Sequence, residues 1–146
     1  VVGDCFGFAS NRLSMAYAAE AGALVEAGVA PARVDAALVA FGMPLGPFQM
    51  LDLAGLDVFA FTIPGMQAAY GDRARPAPLV ETLVARGWLG QKTGRGVYRY
   101  DAAHPRGAPD AEAATLAASL AAPGADGGAL DDATIVARVL LATANE

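Results

Sequence analysis

Apolar residues recur at helical spacing along most of the chain before Gly87, and the breaks in that rhythm fall on glycine or proline. From about Phe8 to Glu26, the residues Leu13, Tyr17, Ala21, Leu24 and Gly28 lie three or four positions apart, which predicts one long helix with a single apolar stripe. A different face of that helix carries Asn11, Ser14, Ala18 and Gly22, all small or uncharged. Such a face admits close approach of another helix or of a ligand, and helix packing is the commoner use.

Pro31 opens a second helix at the position where proline is tolerated. Val34, Leu38 and Phe41 give it an apolar face, and Gly42 stops it. Pro47 starts a short helix, Phe48 to Ala54, that ends at Gly55. Asp57 is the expected N-cap of the next helix, Val58 to Ala69, which Pro64 should kink or split. A further helix, Leu79 to Arg86, closes at Gly87.

The stretch Trp88-Leu89-Gly90-Gln91-Lys92-Thr93-Gly94-Arg95-Gly96-Val97-Tyr98 cannot be helical, because glycines alternate with polar residues. It predicts an ordered loop, left in extended form from Val97 to Tyr100. Residues 101–129 are rich in Ala, Gly and Pro and read as a linker around one weak helix, Ala111 to Ala121. After Asp131, an expected N-cap, Ile135, Val136, Val139 and Leu140 mark a last helix that reaches Glu146 without a stop signal. Arg12 and Glu20 in the first helix are spaced like Arg138 and Glu146 in the last, and both intervals are alanine-rich. We therefore expect residues 130–146 to begin a second, truncated copy of the first domain, with Ala137 in the place of Asn11. The opening at Val1 without methionine gives the same expectation of a piece of a longer chain.

Composition narrows the classes. Hydrophobic residues make up 55% and charged residues 17% of the 146, so most of the chain should fold, and part of its surface should expect a partner. A net charge of −5 argues against nucleic acid as a partner. No apolar run approaches the roughly 20 residues that span a bilayer, so no membrane partner is expected. Cys5 is the single cysteine, which fits a reducing compartment, and we place the chain in the cytoplasm.

Candidate chemistry is sparse. The only histidine, His104, sits among proline and glycine and reads as solvent-exposed, so neither a serine–histidine triad nor a histidine metal site can be built. Asp35, Asp52, Asp57 and Glu81 fall at helix starts or on polar faces, where capping and solvation explain them. No G-x-G-x-x-G follows a strand, so no dinucleotide cradle is expected in this chain. The Gly90–Gly96 loop with Lys92 and Arg95 could hold a phosphate, but glycines carrying the chain around the core are the favoured reading. Arg73, Arg75, Arg86, Lys92, Arg95 and Arg99 put six of the ten basic residues in one stretch, which serves an anionic ligand, an acidic partner or plain solvation equally well. Asn11, near the start of a long helix, could bond a substrate oxygen, orient a side chain from another domain, or cap its own helix.

Taken in order, Gly7-Phe8-Ala9-Ser10-Asn11-Arg12-Leu13, the helix holding Glu20-Ala21, Gly42-Met43-Pro44-Leu45-Gly46-Pro47-Phe48 with Leu51-Asp52 and Gly55-Leu56-Asp57, and Gly90-Gln91-Lys92-Thr93-Gly94-Arg95-Gly96-Val97-Tyr98 resemble the C-terminal domain of the 3-hydroxyacyl-CoA dehydrogenase family. The likeness covers about residues 3–100, and residues 130–146 resemble the start of a second such domain, as in multifunctional fatty-acid oxidation proteins. The resemblance implies an all-α, compact helical domain of the 6-phosphogluconate dehydrogenase C-terminal-like type, without the Rossmann domain. It implies oxidation of (S)-3-hydroxyacyl-CoA with NAD in β-oxidation. The full polypeptide's own N-terminal Rossmann domain would bring NAD, a histidine–glutamate pair and a serine, and the helical domain would close the acyl-CoA cleft and form a homodimer. Asn11 matches the family's active-site asparagine and is the one catalytic residue carried over, as an auxiliary group; the chain alone should be inactive. A purely structural or dimerisation module, or the helical domain of a dehydrogenase for another small hydroxy acid, are the competing readings.

Overall fold

The computed structural model describes residues 9–145, Asp72 by its backbone only. Residues 1–8, Cys5 among them, and the terminal Glu146 lie outside the described residues. Seven helices follow one another among the described residues: α1 (Ala9–Glu26), α2 (Pro31–Phe41), α3 (Pro47–Ala54), α4 (Leu56–Tyr70), α5 (Pro78–Ala85), α6 (Ala111–Ser119) and α7 (Asp132–Ala144). The only sheet among them is a two-stranded antiparallel ladder, β1 (Tyr98–Arg99) with β2 (Ala108–Pro109). The all-α architecture read from the sequence is the one observed.

α1 is the axis of the fold. No residue from Met15 to Ala27 is exposed, because α2, α3, α6 and α7 all pack against it. Tyr17, Ala21 and Leu24 of its stripe are buried, but Leu13 is 42% exposed, since α1 leaves the core towards that end. On α2, Val34 and Leu38 enter the core as expected, whereas Phe41 is 60% exposed. The helix ends there, and Gly42, with a φ of 125°, turns the chain away. Phe48 and Leu51 from α3, Leu79, Val80 and Leu83 from α5, and Ile135 and Val139 from α7 complete the interior.

Two expectations about α4 need correction. The helix begins at Leu56 after Gly55, so Asp57 stands in its first turn and is not the N-cap. Pro64 does not split it: α4 runs unbroken to Tyr70, because the burial of Ile63 and Met66 on either side outweighs the one backbone hydrogen bond that the proline removes. The other helix starts follow the sequence closely. Asp131 caps α7 by accepting from the Thr134 N–H at 2.8 Å, and Asp110 caps α6 through the N–H groups of Glu112 and Ala113.

Residues 101–131 lie against this core. Ala113 and Ala117 of α6 are buried, and the Ala122 N–H donates to the Glu26 carbonyl at 2.8 Å. Gly127 backs onto Gly28 so closely that a Cβ there would sit 2.2 Å from the Gly28 carbonyl carbon. Arg33 of α2 then holds the approach to α7, donating to the carbonyls of Gly127 and Leu130 and pairing with Asp132.

Candidate functional site

Asn11 occupies the first described turn of α1 and is exposed; its side chain makes no hydrogen bond among the described residues. Its neighbours fasten that turn to α4. Arg12 lies over the Tyr70 ring at 4.8 Å, and the Thr62 hydroxyl approaches the Met15 sulfur at 3.7 Å. Ser14 bonds back to the Ser10 carbonyl within the helix. The amide is thus held on a braced helix and presented to solvent. An amide can donate two hydrogen bonds and accept at its oxygen, but it cannot take a proton at neutral pH. Asn11 can therefore steady a developing charge or orient another side chain, and cannot be a base.

Behind this helix the structure contains a polar centre that the sequence reading missed. Asp35 and Asp52 were expected on solvated faces; they are 3% and 0% exposed. Asp35 accepts from the Phe48 N–H at 2.9 Å, the Gln49 N–H at 3.0 Å and the Tyr98 hydroxyl at 2.7 Å. It caps α3 from another helix, which explains Gly46: a Cβ at that position would sit 2.3 Å from the carboxyl carbon of Asp35. Asp52 accepts from the Val97 N–H at 3.0 Å, the Tyr98 N–H at 2.9 Å and the Tyr100 hydroxyl at 3.0 Å. The chain Asp35–Tyr98–Asp52–Tyr100 locks α2, α3 and the loop after Trp88 into one body.

Burial dominates the protonation of these groups. It raises the Asp35 carboxyl to about 6 against the pull of the bonds from Tyr98, Phe48 and Gln49. Burial likewise raises Asp52, opposed by the Val97 and Tyr98 N–H groups. The Tyr98 and Tyr100 hydroxyls are raised by burial first and then by the carboxylates they donate to. Each hydroxyl therefore stays protonated and serves as a donor. Asp35, Asp52 and Tyr98 are buried, and Tyr100 is half-buried at the edge of the centre.

The glycine loop is built around the same carboxylate. Gly90 has a φ of 95°, and a Cβ on Gly96 would lie 2.1 Å from the Asp52 Oδ1. The inner side of the loop is filled by Asp52, so it does not cradle a phosphate. Its cations are also engaged. Lys92 pairs with Asp57 at 2.5 Å, and Arg95 pairs with Asp110 and Glu112 while stacking on Trp88 at 3.3 Å. Arg86 pairs with Glu112, and Arg99 with Asp110. Four of the six basic residues in that stretch thus meet carboxylates of this chain. His104 is exposed and paired with Asp101 in a surface turn, and Glu81 is exposed. Among the described residues there is no cluster of His, Cys, Asp and Glu that could hold a metal ion, and no helix long and apolar enough to cross a membrane.

Comparison with known proteins agrees with this architecture. Residues 7–100 match the family model of the 3-hydroxyacyl-CoA dehydrogenase C-terminal domain. The peroxisomal fatty acid beta-oxidation multifunctional protein AIM1 of Arabidopsis thaliana is 43% identical over 101 residues, which cover 69% of this chain and 14% of that protein. The human peroxisomal bifunctional enzyme is 41% identical over 112 residues, covering 69% of this chain and 16% of its own length. The dehydrogenase part of multifunctional enzyme 1 from C. elegans superposes with a TM-score of 0.75 at 26% identity, covering 99% of this chain and 32% of that one. The (S)-3-hydroxybutyryl-CoA dehydrogenase of Ralstonia eutropha gives 0.62 at 34% identity, covering 67% of this chain and 36% of that one. The chain thus spans 14% to 16% of these two curated relatives' length. Their names also correct the expected compartment. Both are peroxisomal, so the cytoplasmic placement drawn from a lone cysteine does not stand.

Proposed function

This chain belongs to the family of 3-hydroxyacyl-CoA dehydrogenase C-terminal domains, and from that premise we propose that it is the substrate-side domain of an NAD-dependent enzyme that oxidises (S)-3-hydroxyacyl-CoA in fatty-acid β-oxidation. The observation that carries the proposal is Asn11: an amide on a braced helix, exposed and hydrogen-bonded to none of the described residues. In the assembled enzyme its amide bonds to the reacting oxygen or holds the catalytic histidine of the Rossmann domain. It is an auxiliary group in either case.

The described residues do not fit NAD. Their only glycine-rich loop closes on Asp52, and they offer no strand leading through a glycine turn into a helix. NAD binding, the histidine–glutamate pair and the serine accordingly belong to a Rossmann domain of the full polypeptide, and this chain alone should not turn over substrate. The test is NAD-linked oxidation of 3-hydroxybutyryl-CoA by the full-length parent, with and without Asn11→Ala.

A second reading, assembly, is supported by the α1–α7 contact. Arg138 of α7 donates to Glu20 of α1 at 2.7 Å, a pairing across two helices that share the same Arg/Glu spacing in sequence. Two copies of one helix related by a twofold axis would pair in this way. Residues 130–146 then begin a second copy of the domain, following residues 1–100 and the connecting 101–129. The superposition covering 99% of this chain, beyond the reach of the family model, supports that division. Homodimerisation of the parent through helical domains belongs to the same reading, and sedimentation of the parent tests it.

A further inference from the structure

We draw no further inference here: the strongest candidate, the exposed apolar ridge of Leu53, Val58 and Phe61 on the outer side of α3 and α4, carries nothing because no feature of the structure shows what covers it.

Discussion

Replacing Asp52 by alanine should damage this fold more than its small size suggests. The carboxylate is fully buried and accepts from the Val97 N–H, the Tyr98 N–H and the Tyr100 hydroxyl at 2.9–3.0 Å. Alanine would leave three donors facing a space of carboxylate size. An orphaned buried donor costs about 1–3 kcal/mol, and water entering the space recovers part of that. The expected loss is about 3–6 kcal/mol, against the roughly 5–15 kcal/mol that holds a typical domain together. An asparagine side chain keeps the shape of the aspartate but not its hydrogen bonding, so Asp52→Asn is the informative control. It keeps one oxygen for Val97 and removes a buried charge, but turns an NH2 group towards the Tyr98 N–H, for a loss of about 1–3 kcal/mol. Tyr100→Phe deletes one bond at a half-buried site and should cost about 1 kcal/mol. Urea denaturation of the chain and the three variants measures the series, with unchanged slopes showing that only stability moved. A loss below about 1 kcal/mol for Asp52→Ala, or asparagine costing more than alanine, would refute the claim that this carboxylate fastens the loop to α3.

Burial lifts Asp35 to about 6 in the folded chain, above the roughly 3.9 of an unfolded aspartate, so the folded state binds its proton more tightly. Stability from this group should therefore be fullest below about pH 4 and fall by about 1–3 kcal/mol as pH rises to 6; denaturation midpoints across that window check it, and an identical slope in Asp35→Asn would contradict the assignment. Tyr17 carries a buried hydroxyl without a hydrogen-bond partner among the described residues. Tyr17→Phe should consequently be neutral or stabilising by up to about 1 kcal/mol in thermal unfolding, and a loss of about 2 kcal/mol or more would show a missed partner. Burial works against the ionisation of Asp110, yet Arg95 and Arg99 hold it at about 2 while it caps α6. Its contribution should be present above about pH 4 and fade as pH falls towards 2, and Asp110→Ala should cost about 2–4 kcal/mol at neutral pH by denaturant titration, against about 1 kcal/mol or less, the cap alone, if the ion pairs are ornamental.

Most helix boundaries were legible because glycine and proline mark them by backbone geometry: Pro31 and Pro47 stand at first helical positions, and Gly42, Gly55 and Gly87 have positive φ. What was hidden is the reason for several of those residues. Asp35 and Asp52 look like surface acids in isolation, although a signal was present. Asp35 lies between Val34 and Leu38 on the apolar side of α2, and Asp52 follows Phe48 and Leu51 at spacings of four and one, on the buried stripe of α3. A carboxylate on an apolar stripe demands donors; those of Asp35 are the first-turn N–H groups of the next helix and the Tyr98 hydroxyl, and those of Asp52 lie 45 or more residues on, which periodicity cannot see. The basic stretch misled for the same reason. Its partners Asp57, Asp110 and Glu112 are brought to it only by the fold. Asn11 was legible as a position near a helix start, and its exposure is visible only in the folded chain.

The central claim is that Asn11 acts on the reacting groups, and kinetics of the full-length parent test it most directly. NAD-linked oxidation of 3-hydroxybutyryl-CoA and of a longer 3-hydroxyacyl-CoA should be compared for the parent and Asn11→Ala, with folding verified by thermal unfolding. The account predicts a fall in kcat of at least about tenfold, the rate equivalent of about 1.4 kcal/mol, on both substrates and with little change in unfolding temperature. Rates within about twofold of the parent's would contradict it and leave this domain as scaffold.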